Sequence, residues 1–262
     1  MNENELKLLL NDLISGDMNL DQVMNQLKNT LLRSTELGFA QPDHHRELRH
    51  GLNEVIYGEG KTADQIIQIA THLAFHDRCV LITRLDTSKI AVLKQVFPQG
   101  RINEIAKTFM IHAPEIAPVN LGEKFVAIIS AGTSDIKVAE EAKEVCIAMH
   151  IPAESIYDVG VAGLHRVIGT LEVLQKASAV IVVAGMEGAL PSVVGGLIGA
   201  PVIAVPTSVG YGASFFGIAA LLGMLNSCAP GVMVTNIDAG FSAGFAAARI
   251  INGIKKHEST LS

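Results

Sequence analysis

The chain is poor in cysteine, has fewer cationic than acidic side chains and lacks any long uninterrupted apolar run. Three cysteines in 262 residues, odd in number and widely spaced, do not make a disulfide framework and fit a reducing compartment. Twenty Lys and Arg stand against 26 Asp and Glu, a formal charge of −6, with a pI near 5.8. A broad nucleic-acid surface is not expected of such a chain, because a phosphate backbone needs a basic face. Met1-Asn-Glu-Asn-Glu5 carries neither a cationic nor an apolar signal segment, so the expectation is a cytoplasmic protein. Mean hydropathy is positive, +0.36. The most apolar stretch, Ala179 to Val234, is nevertheless cut by Pro191, Pro201, Pro206, Pro230, many glycines and Glu187 into pieces shorter than a bilayer span needs, and no membrane partner is expected.

What the chain does have is 49% hydrophobic residues, ample for a core. Leu6, Leu10, Leu13 and Ile14, then Leu20, Val23, Met24 and Leu27, recur at helical spacing and predict two short amphipathic helices. Residues 42 to 62 change character: Pro42-Asp-His-His-Arg-Glu-Leu-Arg-His-Gly51 and Glu54-Val-Ile-Tyr-Gly-Glu-Gly-Lys-Thr62 are dense in charge and glycine. Arg46, Arg49 and Lys61 are candidates to grip phosphate or carboxylate oxygens, against the plainer reading of a solvated loop. Thr62 is placed to cap a helix starting at Ala63. His72 and His76 have i, i+4 spacing, and His44 and His45 lie upstream, but no His-Glu-x-x-His pattern accompanies them and zinc is not expected. A helix over Ala63 to Phe75, a strand over Cys79 to Thr83, a helix from Ser88 and a strand over Ile105 to Ile111 make a small α+β domain. Pro114 and Pro118 mark the linker that follows, dividing the chain into residues 1–120 and 121–262.

Beyond the linker, apolar strands and helices alternate. Strands are read at Phe125 to Ile129, Ser155 to Val159, Ala179 to Val183, Val202 to Val205 and Val232 to Ile237. Helices are read at Asp135 to Met149, through His165 and Leu174, after Glu187, at Ala213 to Leu225 and at Gly240 to Ile254. Continuous Val/Ile runs suit strands covered on both faces. The pattern predicts an α/β fold, a doubly wound parallel sheet joined by right-handed crossovers, with a smaller N-terminal α+β domain. Ligands of such sheets sit beyond the carboxyl ends of the strands. Here those ends carry Ser130 to Asp135, Asp158 to Arg166, Ala184 to Ser192, Pro206 to Ser214 and Asp238 to Gly240. The turn Gly132-Thr133-Ser134-Asp135, opening a helix, offers backbone N–H groups and hydroxyls to an anion such as phosphate.

Gly132-Thr-Ser-Asp135, His165-Arg166 and Ala184-Gly-Met-Glu-Gly-Ala-Leu-Pro-Ser192 resemble, in order, the phosphate turn, His-Arg step and Leu-Pro loop of aminoimidazole ribonucleotide carboxylase and mutase. Arg46-Glu-Leu-Arg49, Glu54 to Thr62, Met186-Glu-Gly188 and Asn226-Ser-Cys-Ala-Pro-Gly231 extend a closer resemblance over nearly the whole chain. That resemblance is to pyridinium-3,5-biscarboxylic acid mononucleotide synthase, the LarB family. It implies carboxylation of the pyridinium ring of nicotinic acid adenine dinucleotide by carbon dioxide or bicarbonate and cleavage of the phosphoanhydride to release AMP, the first step toward the nickel-pincer nucleotide. It also implies a homo-octamer and no organic cofactor. A pyridinium ring is electron-poor and needs a nucleophile to add before it can attack carbon dioxide, a role that suits a thiolate.

Cys79, opening a strand, and Cys146, within a helix, occupy ordinary places for small buried hydrophobes. Cys228 stands in a loop and matches the family's nucleophilic cysteine. Glu187 reads either as a helix N-terminal charge or, functionally, as the base that removes the ring proton or a residue that positions the neighbours of the substrate carboxylate. The aminoimidazole enzymes have a neutral residue in that loop, which favours the second reading and a different substrate. His165 matches their proton-transferring histidine or is an inherited structural one, and Arg166 suits a phosphate. Ser130, Gly132, Thr133, Ser134 and Asp135 are expected to bind the nucleotide, with Asp135 as cap or hydroxyl acceptor, and Gly185, Met186 and Gly188 to border it. Asp135 or Asp238 is a candidate ligand for magnesium during anhydride cleavage. The sheet is expected to bring Glu187 and Cys228 beside the Gly132–Asp135 turn. Aminoimidazole ribonucleotide mutase activity and a non-catalytic nucleotide-sensing module are the rival readings.

Overall fold

The two N-terminal helices form where the apolar spacing places them, α1 over Glu3–Ser15 and α2 over Leu20–Leu31. Leu9 and Val23 are buried between them, with Leu6, Leu13, Met18 and Leu27 packed around. The structure, a computed structural model, describes residues 3–31, 52, 54–74 and 77–261. Arg46, Arg49, His44, His45 and His76 fall outside the described residues.

Contacts divide the chain into two units, Met1–Ile102 with Phe109–Ala113, and Asn103–Thr108 with Pro114–Ser262. The first continues with β1 (Ile56–Tyr57), α3 (Ala63–Leu73), β2 (Val80–Thr83), α4 (Thr87–Val96), β3 (Arg101–Asn103) and β4 (Thr108–Ile111). Thr62 begins α3 in a capping box: its Oγ1 accepts from Gln65 N at 3.2 Å, and Gln65 Oε1 accepts from Thr62 N at 3.0 Å. The sheet order is β1-β2-β4-β3, with β1 parallel and β4 antiparallel to β2. The strand expected over Ile105 to Ile111 starts only at Thr108. Asn103 Oδ1 accepts from Ala106 N at 3.0 Å and Lys107 adopts φ 54°, so residues 104–107 form a turn between β3 and β4.

The second unit is the expected doubly wound sheet. Its strands are β5 (Val126–Ser130), β6 (Ala153–Ile156), β7 (Ala179–Ala184), β8 (Val202–Pro206) and β9 (Val232–Val234), all parallel in the order β6-β5-β7-β8-β9. β5 and β7 are adjacent and in register from Val126↔Ala179 to Ser130↔Val183. Their helices are α5 (Ile136–Ala148), α6 (Leu164–Gly169), α7 (Leu171–Lys176), α8 (Leu190–Gly195), α9 (Ile218–Leu225) and α10 (Gly240–Leu261). Every residue of β5, β7 and β8 is buried, as strands covered on both faces require. Phe125, Ala127 and Ile129 share one core with Val167, Leu174, Leu190, Val194 and Met224. Among the described residues no helix is long and apolar enough to cross a membrane.

Two helices differ from expectation. The one through His165 and Leu174 breaks into α6 and α7 at Thr170, whose Oγ1 donates to Val167 O at 2.8 Å. The one expected from Ala213 begins only at Ile218, because Phe215, Phe216 and Gly217 all take positive φ.

Helices α5 and α10 meet backbone to side chain. Cys146 Sγ–H donates to Gly244 O at 3.9 Å, and a Cβ on Gly244 would sit 2.5 Å from Ala142 O. Burial pushes the Cys146 thiol up to about 12, which makes it a packing group and no nucleophile at neutral pH. Gly244→Ala is expected to destabilise the protein by roughly 1–3 kcal/mol through overpacking, measured as a lower denaturant midpoint at unchanged slope.

Candidate active site

The strand order of the second unit reverses direction between β5 and β7, since β6 lies to one side of β5 and the later strands to the other. In doubly wound sheets the crevice at such a switch point receives the ligand. Here it is bordered by Gly132–Asp135 after β5 and Gly185–Gly188 after β7, with Thr207–Ser208 after β8 as the next wall.

A buried carboxylate joins these loops. Asp135 is 3% exposed; its Oδ1 accepts from Thr207 Oγ1 at 2.6 Å and its Oδ2 from Gly132 N at 2.9 Å. Burial raises its pKa above the ordinary 3.8, opposed by the Thr207 hydroxyl and the Gly132 and Gly185 N–H groups, while the Asp238 charge adds an upward push. Thr207 is fully buried and its N–H donates to Ala184 O at 3.0 Å. Asp238 Oδ1 accepts from Ser208 N at 2.9 Å and its own N–H donates to Pro206 O at 2.8 Å. Thr207 and Ser208 belong to this edge although neither stands out individually in the sequence. Their signal was a pair of hydroxyls following an apolar strand directly, at a carboxyl end already marked for ligand binding.

The other candidates distribute around this edge. Ser130 is fully buried at the end of β5, and its Oγ accepts from Asp158 N at 3.4 Å. Thr133 and Ser134 are exposed, so the hydroxyls and not Asp135 face solvent at the turn. Arg166 Nη1 donates to Asp158 Oδ2 at 2.8 Å and to Asp158 O at 2.5 Å, so the guanidinium already has an anionic partner. His165 is exposed on α6 beside it. Lys61 belongs to the first unit, where its Nζ donates to Tyr57 O at 3.0 Å.

Gly185, Met186, Glu187 and Gly188 form a tight turn. Gly188 N donates to Gly185 O and Met186 N to Val209 O, both at 3.0 Å. Met186 adopts φ 52°, a conformation that a long side chain rarely takes and that strained functional loops preserve. Gly188 packs so closely on α9 that a Cβ there would lie 2.7 Å from Ala220 O. A Cβ on Gly223 would lie 2.4 Å from Glu187 O. The Glu187 turn therefore rests on the middle of α9, between Ala220 and Gly223, with the Glu187 side chain exposed.

Cys228 corrects one expectation. It lies in the 226–231 connection that leads into β9, at the amino-terminal end of that strand, so the sheet does not bring it beside the Gly132–Asp135 turn on the carboxyl edge. The physical reason is direction: α9 carries the chain back from the carboxyl edge before a parallel strand can begin. What Cys228 does adjoin is the end of α9, five residues beyond the glycine that touches Glu187. Of the three cysteines Cys146 is buried, Cys79 half-buried and Cys228 exposed. Its loop is anchored by Ser227, whose Oγ accepts from Ser192 Oγ at 2.7 Å and from Ala229 N at 3.3 Å.

Among the described residues no group of three or more His, Cys, Asp or Glu is arranged to hold a metal ion. Asp135 is buried and each of its oxygens already accepts from a protein donor, so it does not fit a magnesium ligand.

Two family models match the chain: a LarB/PurE-like N-terminal domain over residues 34–113 and AIR carboxylase over residues 125–260. A relative from Methanocaldococcus jannaschii, described as uncharacterized protein MJ0165, is 40% identical over 243 residues, covering 90% of this chain and 93% of the relative.

Because its pKa is raised on folding, Asp135 loses stability for the fold as pH climbs above 3.8 toward its folded value. Thr207→Val removes a donor to the ionised form and raises that pKa further. The variant is expected to be less stable by roughly 1.5–3 kcal/mol near neutral pH, with a deficit that shrinks on acidification toward the ordinary carboxyl range. Chemical denaturation of both proteins across that range checks the sign.

Proposed function

Because the chain belongs to the family that joins a LarB/PurE-like N-terminal domain to an AIR carboxylase domain, we propose that it carboxylates the pyridinium ring of nicotinic acid adenine dinucleotide. In the same reading it cleaves the phosphoanhydride, giving pyridinium-3,5-biscarboxylic acid mononucleotide and AMP, the entry to nickel-pincer nucleotide synthesis. Carboxylase or mutase chemistry is the part shared across the family. What supports the pyridinium substrate is an exposed thiol, Cys228, in a chain whose 185–188 turn also carries an exposed carboxylate, Glu187.

In this reading the hydroxyls of Thr133 and Ser134 and the N-terminal N–H groups of the 133–135 turn hold the nucleotide phosphate, while Asp135 fixes the turn without facing the anion. The Cys228 thiolate adds to a ring carbon, and its electron pair converts the cationic ring to a neutral dihydropyridine. The enamine carbon then forms a bond to carbon dioxide, leaving an iminium. Glu187 removes the proton from that carbon and restores the enamine. Expulsion of the thiolate returns the aromatic pyridinium. Water attacks the phosphoanhydride and AMP departs. Arg166, paired with Asp158, turns to the phosphate only by giving up that ion pair.

A cytoplasmic homo-octamer belongs to the same proposal. Ile218, Leu222 and Leu225 of α9 and Met233 of the edge strand β9 are exposed and supply an apolar face for assembly. Glu187 counts against aminoimidazole ribonucleotide as substrate, since that reaction is run by relatives with a neutral residue at this place.

Incubation with the dinucleotide and bicarbonate is expected to yield a carboxylated mononucleotide and AMP by mass spectrometry. Turnover of aminoimidazole ribonucleotide instead, or binding without turnover, would favour the rival readings. Cys228→Ala and Cys228→Ser are expected to abolish carboxylation while leaving dinucleotide affinity within a few-fold; wild-type turnover in either sinks the covalent mechanism.

A further inference from the structure

Between β8 and α9, residues 208–217 form a loop whose ends nearly touch: a Cβ on Gly217 would lie 2.7 Å from Thr207 O. Compact loops of this kind with closed ends are frequently functional. Its first residues are rooted in the site. Ser208 N donates to Asp238, Thr207 to Asp135, and Val209 O accepts from Met186 N. The loop's body is held as well, with Ser214 buried and its N–H donating to Tyr211 O at 3.2 Å.

On this base the aromatic side chains stand in the open. Tyr211 is 81% exposed, Phe215 68% and Phe216 86%. Phe215 and Phe216 are consecutive residues in the left-handed region, at φ 44° and 53°. That conformation is disfavoured for any residue with a side chain and is an outlier for a bulky one. Here the strain presents two phenyl rings to solvent, where burial returns nothing to the isolated chain. Strain retained together with exposed rings points to something bound against them.

The charge pattern identifies the chemistry. Residues 188 to 237 contain no Asp, Glu, Lys, Arg or His, so this wall brings no positive charge to a phosphate and no negative charge to compete for a cation. An aromatic face carries a negative quadrupole and attracts a flat cation. Building on the functional reading above, we infer that the loop 208–217 is the ring-binding wall of the site, with Phe215 and Phe216 stacking a cationic nitrogen heteroaromatic, the pyridinium of the dinucleotide. The phosphate and the ring then occupy different walls, the polar 132–134 turn and the uncharged 208–217 loop. The wall also favours the oxidised, cationic ring over its neutral dihydro form.

The test uses the full chain carrying Cys228→Ser, so that no adduct or turnover intervenes, and measures by titration calorimetry the affinities for nicotinic acid adenine dinucleotide and for its chemically reduced dihydropyridine form. The parent is expected to prefer the oxidised form by about two- to thirty-fold, the range of cation–π attraction. Phe215→Leu/Phe216→Leu, which keeps apolar bulk without a π face, is expected to lose that preference, and Phe215→Tyr/Phe216→Tyr to keep it. Equal affinity of the parent for both forms overturns the wall while leaving the functional reading standing. A leucine variant that keeps the parent's preference also overturns it, and a changed oligomeric state in that variant assigns the rings to contact between copies. A parent that binds neither form overturns the functional reading and the wall together.

Discussion

The parallel-sheet domain depends on one buried carboxylate. Asp135 takes bonds from Gly132 N and from the Thr207 hydroxyl, and the Gly185 N–H supports its charge, so a single side chain ties together the ends of β5, β7 and β8. Removing a carboxylate from water is costly unless its oxygens are satisfied. Only the arrangement that brings all three strand ends into register satisfies this one. The constraint also decides what faces the ligand: with Asp135 turned inward, the phosphate turn presents hydroxyls and N–H groups and keeps the negative charge behind them. Asp238, bonded to Ser208 N, repeats the device one strand further along.

Much of this was legible because the strands are buried on both faces. Uninterrupted runs such as Ala179 to Val183 have few readings other than a central parallel strand, and the alternation with helices then dictates the sheet. Thr62 and Gln65 announced the start of α3 through a local rule that needs no tertiary information. The failures have equally physical causes. Residues 104–107 carry no glycine or proline to mark a turn, and it is the Asn103 side chain that folds them back. The helix expected from Ala213 is largely apolar, but its first residues, Ala213-Ser-Phe-Phe-Gly217, are mostly weak helix formers and the backbone at Phe215 and Phe216 is left-handed, a state that apolar spacing does not encode.

The site was legible in its parts and not in its arrangement. The carboxyl-end loops follow from strand direction alone, and so does the place of Cys228, once α9 is seen to return the chain before β9. Thr207 was invisible as a partner of Asp135 because the pair lies 72 residues apart in sequence. The contacts of Gly188 with Ala220 and of Gly223 with Glu187 were hidden for the same reason, since a glycine shows only that something comes close and not what does.

The resulting picture is a family scaffold whose polar edge is proposed to anchor a phosphate and whose proposed chemistry is strung along α9, from the loop before it to the loop after it. There an exposed thiol, a carboxylate-bearing turn and an uncharged aromatic loop share one short helix. The claim on which this picture turns is that Cys228 bonds covalently to the pyridinium ring. The direct measurement is peptide-resolved mass spectrometry, under mild non-reducing conditions, of the wild-type protein after incubation with nicotinic acid adenine dinucleotide in carbon dioxide-free buffer, where an adduct cannot go on to the carboxylated product. A dinucleotide-derived mass on the peptide containing residue 228, absent from Cys228→Ser, is the predicted result. An unmodified residue 228 in protein that goes on to carboxylate the ring when bicarbonate is restored would contradict it.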